Sequence, residues 1–178
     1  MYELYHLVMN AESGEKPELL FTVTLVDDDP LFLEQMKDFL ESMKIKDIEC
    51  YKSGEEFLAA VNEKDKRLIV CDFDFGSPER MNGFAVLDEI RKRNLKMPVI
   101  MLSAQDKITV AMETLMRGAA DYFFKASENA FTSVLTSILK INEVQRLKKT
   151  EKDYINTLIA GSIAAIAIIA VLLYNLYK

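Results

Sequence analysis

Between residues 21 and 142 short apolar runs alternate with helix-forming segments five times over. Such an alternation folds into stacked βα units around a parallel sheet, because each crossover helix must cover a face that the strands leave apolar. The strands are expected at 21–26, 48–51, 67–72, 98–102 and 121–124, each followed by a helix. Runs this short and this apolar read as parallel strands buried on both faces. The fold class is therefore α/β, a doubly wound five-stranded parallel sheet.

The same runs are punctuated by polar residues. Asp27 and Asp28 follow VTLV, Asp72 follows LIVC, Ser103 follows VIML, and Lys125 follows DYFF. In an open α/β sheet, ligands bind in the crevice outside the carboxyl ends of the strands. Three carboxylates, a hydroxyl and an amine are thus expected at one sheet edge, which is the chemistry of a metal ion and a phosphoryl group. Acids before Pro30 also suit the start of a helix, and Asp29 is the best placed of the three to cap it.

Helical stripes fill the gaps between strands. Phe32, Met36, Phe39, Leu40 and Met43 recur at spacings of three and four, as do Phe57, Leu58 and Val61; Leu87 and Ile90; Ile108, Met112, Leu115 and Met116; and Phe131, Val134, Leu135 and Ile138. Each stripe is expected to face the core. Ser53 with Glu56 three residues later reads as a capping box, and Gly118 as a helix stop. Pro98 opens the fourth strand, where a missing amide proton does least harm.

Half of the residues are hydrophobic and 28% are charged, as in a globular protein. The net charge of −6 offers no electrostatic footprint for DNA or RNA, so no nucleic-acid partner is expected. Cys50 and Cys71 lie in strand-like runs, where cysteine behaves as a small buried hydrophobe. One histidine, His6, and no paired cysteines argue against a zinc site or a disulfide framework.

The two ends differ. Residues 1–20 form an arm with an early acid and no charged-then-apolar order, unlike a signal peptide. From 155 to 177 the sequence INTLIAGSIAAIAIIAVLLYNLY carries no charge over about the ~20 residues a helix needs to cross a bilayer. Arg146, Lys148, Lys149 and Lys152 precede it and only Lys178 follows, so the positive-inside rule leaves the globular part in the cytoplasm. The organisation read from the sequence is an N-terminal arm at 1–20, a domain at 21–142, a basic helical linker at 143–154 and a transmembrane helix at 155–177. Gly161 and Ala165 form a small-xxx-small pair compatible with a homodimer.

Residues 21 to 142 resemble a bacterial response-regulator receiver domain of the CheY-like type. The resemblance rests on LVDDDP, LIVCDFDF, MNGFAVLDEI, VIMLSA and GAADYFFK, in that order along the chain. It implies a flavodoxin-like sheet of order 2-1-3-4-5 and a Mg²⁺-dependent phosphoacceptor. A hard divalent cation with oxygen ligands agrees with two adjacent acids and a third from another strand.

Carried onto this sequence, the resemblance makes Asp27 and Asp28 metal carboxylates and Asp72 the phosphoacceptor. It has Asp74 lend its backbone carbonyl to the metal, Ser103 hydrogen-bond a phosphoryl oxygen and Lys125 contact the phosphoryl group. Tyr122 matches the family's aromatic switch, acting with Ser103. Asp74 is a competing acceptor, but Asp72 directly ends the apolar run. Three departures stand out. The loop from Asp72 to Gly83 carries GSPERMN, longer than usual and without the usual Met-Pro step, Ala126 replaces the usual proline after the lysine, and Asp74 and Gln105 occupy positions that tune self-dephosphorylation in the family.

The function expected from this reading is a membrane-tethered response regulator of the bacterial inner membrane, phosphorylated by a sensor histidine kinase and acting through protein partners. It is a phosphoacceptor, not an enzyme beyond slow self-dephosphorylation. The alternatives are a degenerate receiver serving as a membrane-anchored interaction module without phosphorylation, and an aspartyl-phosphate phosphatase.

Overall fold

The computed structural model describes residues 18–62, 64–76, 80–93, 95–105 and 107–178. Five strands, β1 (Thr22–Val26), β2 (Ile48–Tyr51), β3 (Arg67–Asp72), β4 (Val99–Ser103) and β5 (Asp121–Phe124), form one parallel sheet of order β2-β1-β3-β4-β5. Helices α1 (Pro30–Ser42), α2 (Gly54–Ala60), α3 (Gly83–Lys92) and α4 (Ile108–Met116) are the crossovers, and α5 (Ala130–Leu176) follows β5. The chain divides into two compact units, one ending at Asn142 and the other Glu143–Lys178.

In the first unit, the period of two along each strand separates two cores. Leu68 and Val70 of β3 face a cluster with Leu33, Met36 and Leu40 of α1 and Val134, Leu135 and Ile138 of α5. Ile69 and Cys71, one residue out of phase, face Phe57 and Leu58 of α2 and Val86, Leu87 and Ile90 of α3. Both faces of the central strands are thereby covered, which is why those strands read as continuous apolar runs.

Local chemistry fixes the helix starts. Asp29 caps α1, accepting from the amides of Leu31 (2.9 Å) and Phe32 (3.3 Å) through Oδ1. Ser53 Oγ accepts from Glu56 N at 3.1 Å, while the returning Glu56 carboxylate accepts from Lys52 N, one residue earlier than a regular capping box places it. Asn82 caps α3 through Ala85 N. Gly118, at φ +90°, turns the chain out of α4 in a backbone region that a residue with a Cβ rarely adopts.

Two sequence expectations are corrected. Ile108, Met112, Leu115 and Met116 of α4 do not face the core; all four are exposed, Met116 to 85%. The segment ITVAMETLM is apolar on opposite flanks, so periodicity leaves the inward face open. The structure turns Thr114 inward, with Val110 and Ala111 half-buried beside it. Its hydroxyl is satisfied by donating to the Val110 carbonyl at 2.7 Å. Cys50 is the other: it is exposed, because β2 is an edge strand, whereas Cys71 in central β3 is fully buried.

Residues 1–17 of the expected arm lie outside the described residues. Leu19 and Leu20 pack against the first core. Asn142, only 6% exposed, holds this stretch with both ends of its amide: Oδ1 accepts from Leu20 N at 2.9 Å and Nδ2 donates to Glu18 O at 3.1 Å. In the second unit, the helical residues from Glu143 to Leu176 include a stretch long and apolar enough to cross a membrane.

A carboxylate cluster at the sheet's switch point

β1 is flanked by β2 on one side and β3 on the other, so successive crossovers diverge there and leave a crevice at the carboxyl ends. Register then determines which side chains meet in it. Val26 pairs with Cys71, so the next residues along the two strands are Asp27 and Asp72; Asp72 pairs with Leu102, and Ser103 with Phe124, the residue before Lys125. The five residues singled out in the sequence therefore sit at one sheet edge.

Asp27, Asp28 and Asp72 each present a carboxylate oxygen within 4.8 Å of the others'. Asp27 and Asp72 are buried, at 2% and 4% exposure, and Asp28 is half-buried. Lys125 Nζ reaches into the group, 2.6 Å from Asp27 Oδ2 and 3.0 Å from Asp72 Oδ2. Its bond to Asp72 is a directed hydrogen bond. Its closer approach, to Asp27, is an ion pair that satisfies an oxygen otherwise buried without a polar partner.

The electrostatics follow from this crowding. Burial is the main cause that pushes Asp27 up to about 6; Asp72 adds to it, while Lys125 and the Asp29 amide (3.0 Å from Oδ1) pull it back. Burial likewise raises Asp72, opposed chiefly by Lys125. Burial alone would lower Lys125, but the two carboxylates outweigh it and hold its pKa above the usual value. Three carboxylates against one ammonium leave two negative charges in the ionised cluster, the complement of one divalent cation.

The residues fit Mg²⁺ on these grounds. The candidate ligands are all carboxylate oxygens, the type a hard cation takes, and they converge within 4.8 Å of one another. Asp29 is occupied as the helix cap, which leaves Asp27 and Asp28 free for other work. Asp74 does not contribute its side chain to the clustered carboxylates, although its backbone amide faces Asp72. It is exposed, and its side chain accepts from Gly76 N at 3.2 Å within its own loop.

Ser103 is fully buried at the end of β4 and its Oγ accepts from Gln105 N at 3.0 Å. Tyr122, half-buried in β5, donates its hydroxyl to the Gln105 carbonyl at 2.6 Å. Ser103 and Tyr122 therefore share one residue of the β4–α4 loop. Lys125 N donates to Ser103 O at 2.7 Å, which ties the lysine's backbone to the same strand end. Among the described residues no peptide bond is cis, so the Lys125–Ala126 bond is trans.

One site residue lay hidden in the sequence. Phe32 belongs to the apolar stripe of α1, yet Lys125 Nζ sits 4.3 Å from its ring centroid. Only its position one turn after the Asp29 cap, beside the strand end, could have signalled this.

A sequence model of the response regulator receiver domain matches residues 23–136. The chain is 34% identical over 105 residues to the probable C4-dicarboxylate response regulator DctR of Bacillus subtilis, covering 58% of this chain and 45% of that protein. It is 32% identical over 103 residues to the transcriptional regulatory protein ZraR of Salmonella typhimurium, covering 58% and 22%. Among solved structures, the receiver domain of NtrX from Brucella abortus matches with a TM-score of 0.57 at 27% identity, over 66% of this chain and 98% of that one. The chain thus spans about half the length or less of these curated relatives.

The chain belongs to the response regulator receiver domain family. Proteins of this class are phosphoacceptors of two-component systems rather than enzymes in the usual sense, and they hold Mg²⁺ through acidic residues such as those clustered here.

Proposed function

We propose that this receiver accepts a phosphoryl group on Asp72 from the phosphohistidine of a sensor kinase, in a Mg²⁺-dependent reaction, while tethered to a bacterial inner membrane by residues 155–177. The observation that carries the reading is the position of Asp72: a buried carboxylate at a strand end, beside two further carboxylates and hydrogen-bonded to Lys125. Asp27, Asp28, Asp72 and the Asp74 carbonyl would hold the metal, which when bound offsets the charge on the incoming phosphoryl oxygens.

An Asp72 oxygen attacks phosphorus, the P–N bond of the donor breaks, and its electron pair returns to the imidazole, which takes up a proton. Lys125 balances charge on the new acyl phosphate, and Ser103 donates its hydroxyl to a phosphoryl oxygen. Tyr122 and Ser103, linked through Gln105, are the elements that carry the change to the surface. Asp74, turned into its own loop, is the poorer acceptor.

Transfer of ³²P from a phosphorylated kinase or acetyl phosphate to the wild type, but not to Asp72→Asn, tests the assignment; equal labelling of both overturns it. The tether is supported by the uncharged run and the cations before it. Its test is fractionation, with the chain staying in the membrane pellet through alkaline extraction. Release into the supernatant refutes the tether. An output through protein partners rather than DNA is supported by the net charge of −6.

A further inference from the structure

We propose that Phe32 is a positioning residue for Lys125: its ring face holds the ammonium at the site when the carboxylates are engaged elsewhere. This rests on Asp72 being the phosphoacceptor and extends it to a residue outside the strand ends.

The Lys125 side chain is 15% exposed, and its ammonium has three neighbours of opposite polarity: Asp27 Oδ2, Asp72 Oδ2 and the Phe32 ring at 4.3 Å. The face of an aromatic ring carries the negative part of its quadrupole and attracts a cation placed over it. The two carboxylates are the same groups proposed to bind Mg²⁺ and to accept phosphorus. With Mg²⁺ bound they offer less charge to the lysine, and until a phosphoryl group arrives the ring is the neighbour that keeps it. An ammonium in flexible solvent contact would otherwise relax outward, since a lysine has four rotatable stem bonds and strong hydration.

The ring is itself held. Phe32 meets Phe131 of α5 edge-on, with centroids 5.5 Å apart, and Phe131 packs at 5.6 Å against Phe39, one helical neighbour row along α1. The Phe32 amide is bonded to the Asp29 cap, which fixes the first turn from which the ring projects. Leucine at this position would fill part of the volume but present no negative face.

The test uses the full-length chain in detergent micelles, with lysine labelled at Cε. Ring current from Phe32 is expected to shift the Lys125 ε-protons upfield in the wild type, assigned by their loss in Lys125→Met. The shift should vanish in Phe32→Leu. At saturating Mg²⁺, Phe32→Leu should slow labelling of Asp72 by acetyl phosphate roughly 2- to 30-fold, the span of a cation–π contact from exposed to desolvated. Replacing Phe32 with its trifluorinated analogue keeps the packing but withdraws charge from the face, and should slow labelling in the same direction.

In a Lys125→Met background neither change should slow labelling further, because the ring acts only through the lysine. An unshifted Lys125 ε-proton signal in the wild type overturns the proposal. So does an equal slowing by Phe32→Leu with and without Lys125, which would mark a packing role. Failure of the acceptor assignment is separate: it appears as labelling of Asp72→Asn and leaves the proton shift unchanged.

Discussion

Neutralising Asp27 should stabilise the metal-free protein at neutral pH, although Asp27 lies at the heart of the site. Its carboxyl is pushed up from 3.8 to about 6, mainly by burial. A group whose native pKa is raised binds more protons in the folded than in the unfolded state across the interval between the two values. Stability from this group therefore falls as pH rises from about 3.8 to about 6. At about 1.36 kcal/mol per unit, the full cost of ionising Asp27 in the fold approaches ~3 kcal/mol.

Asp27→Asn removes that cost while keeping the shape. Below pH 3 the two proteins should unfold at about the same urea concentration, since protonated Asp27 is as neutral as asparagine. Above pH 7 the variant should be more stable, by about 1 to 3 kcal/mol. The assay is urea unfolding of the full chain in detergent micelles, without divalent ions, with the difference between variant and wild type plotted against pH. The difference isolates Asp27 from carboxylates whose pKa values are lowered, such as Glu49 and Asp65, which titrate in both proteins. Adding Mg²⁺ should narrow or close the difference. Binding at a hundred times the dissociation constant stabilises by about 2.7 kcal/mol, and Asp27→Asn should lose most of it. A variant less stable than the wild type at pH 8 without metal would refute the reasoning.

Two further outcomes follow from the packing. A Cβ on Gly83 would lie 2.7 Å from the Asp72 carbonyl oxygen and 2.9 Å from Phe73 Cα, both backbone atoms that cannot swing aside. Gly83→Ala should cost about 1 to 3 kcal/mol in urea unfolding and also slow labelling of Asp72, because it pushes on the acceptor's own peptide. Asn142→Ala orphans the Leu20 amide and the Glu18 carbonyl. It should lower stability by about 1 to 3 kcal/mol without changing the Mg²⁺ dependence of the wild type, and an altered metal response would contradict it.

The site was legible because parallel strands end abruptly. An apolar run buried on both faces must change character where it reaches solvent, so Asp27, Asp72 and Ser103 mark strand ends in the sequence alone. Phe32 was not legible, since the same aromatic residue serves a core stripe or a cation equally well until Lys125 is placed in space. The α4 stripe misled for a related reason. Periodicity reports that a helix has an apolar flank, but with apolar residues on both flanks of ITVAMETLM, only close approach to the sheet selects the smaller Ala111 and Thr114 side. Cys50 looked buried because a strand's sequence does not reveal whether it pairs on one side or two.

By itself the sequence determined the strand–helix alternation, the residues at the strand ends and the uncharged run near its end, because these depend on local periodicity and on the polarity of consecutive residues. The tertiary structure decided which strand ends are neighbours. It also placed Lys125 between Asp27 and Asp72 over Phe32, and buried both carboxylates. Those outcomes turn on register and crossover geometry between residues as far apart as 27 and 125, and a charge buried by such long-range packing has no signature in its sequence neighbours.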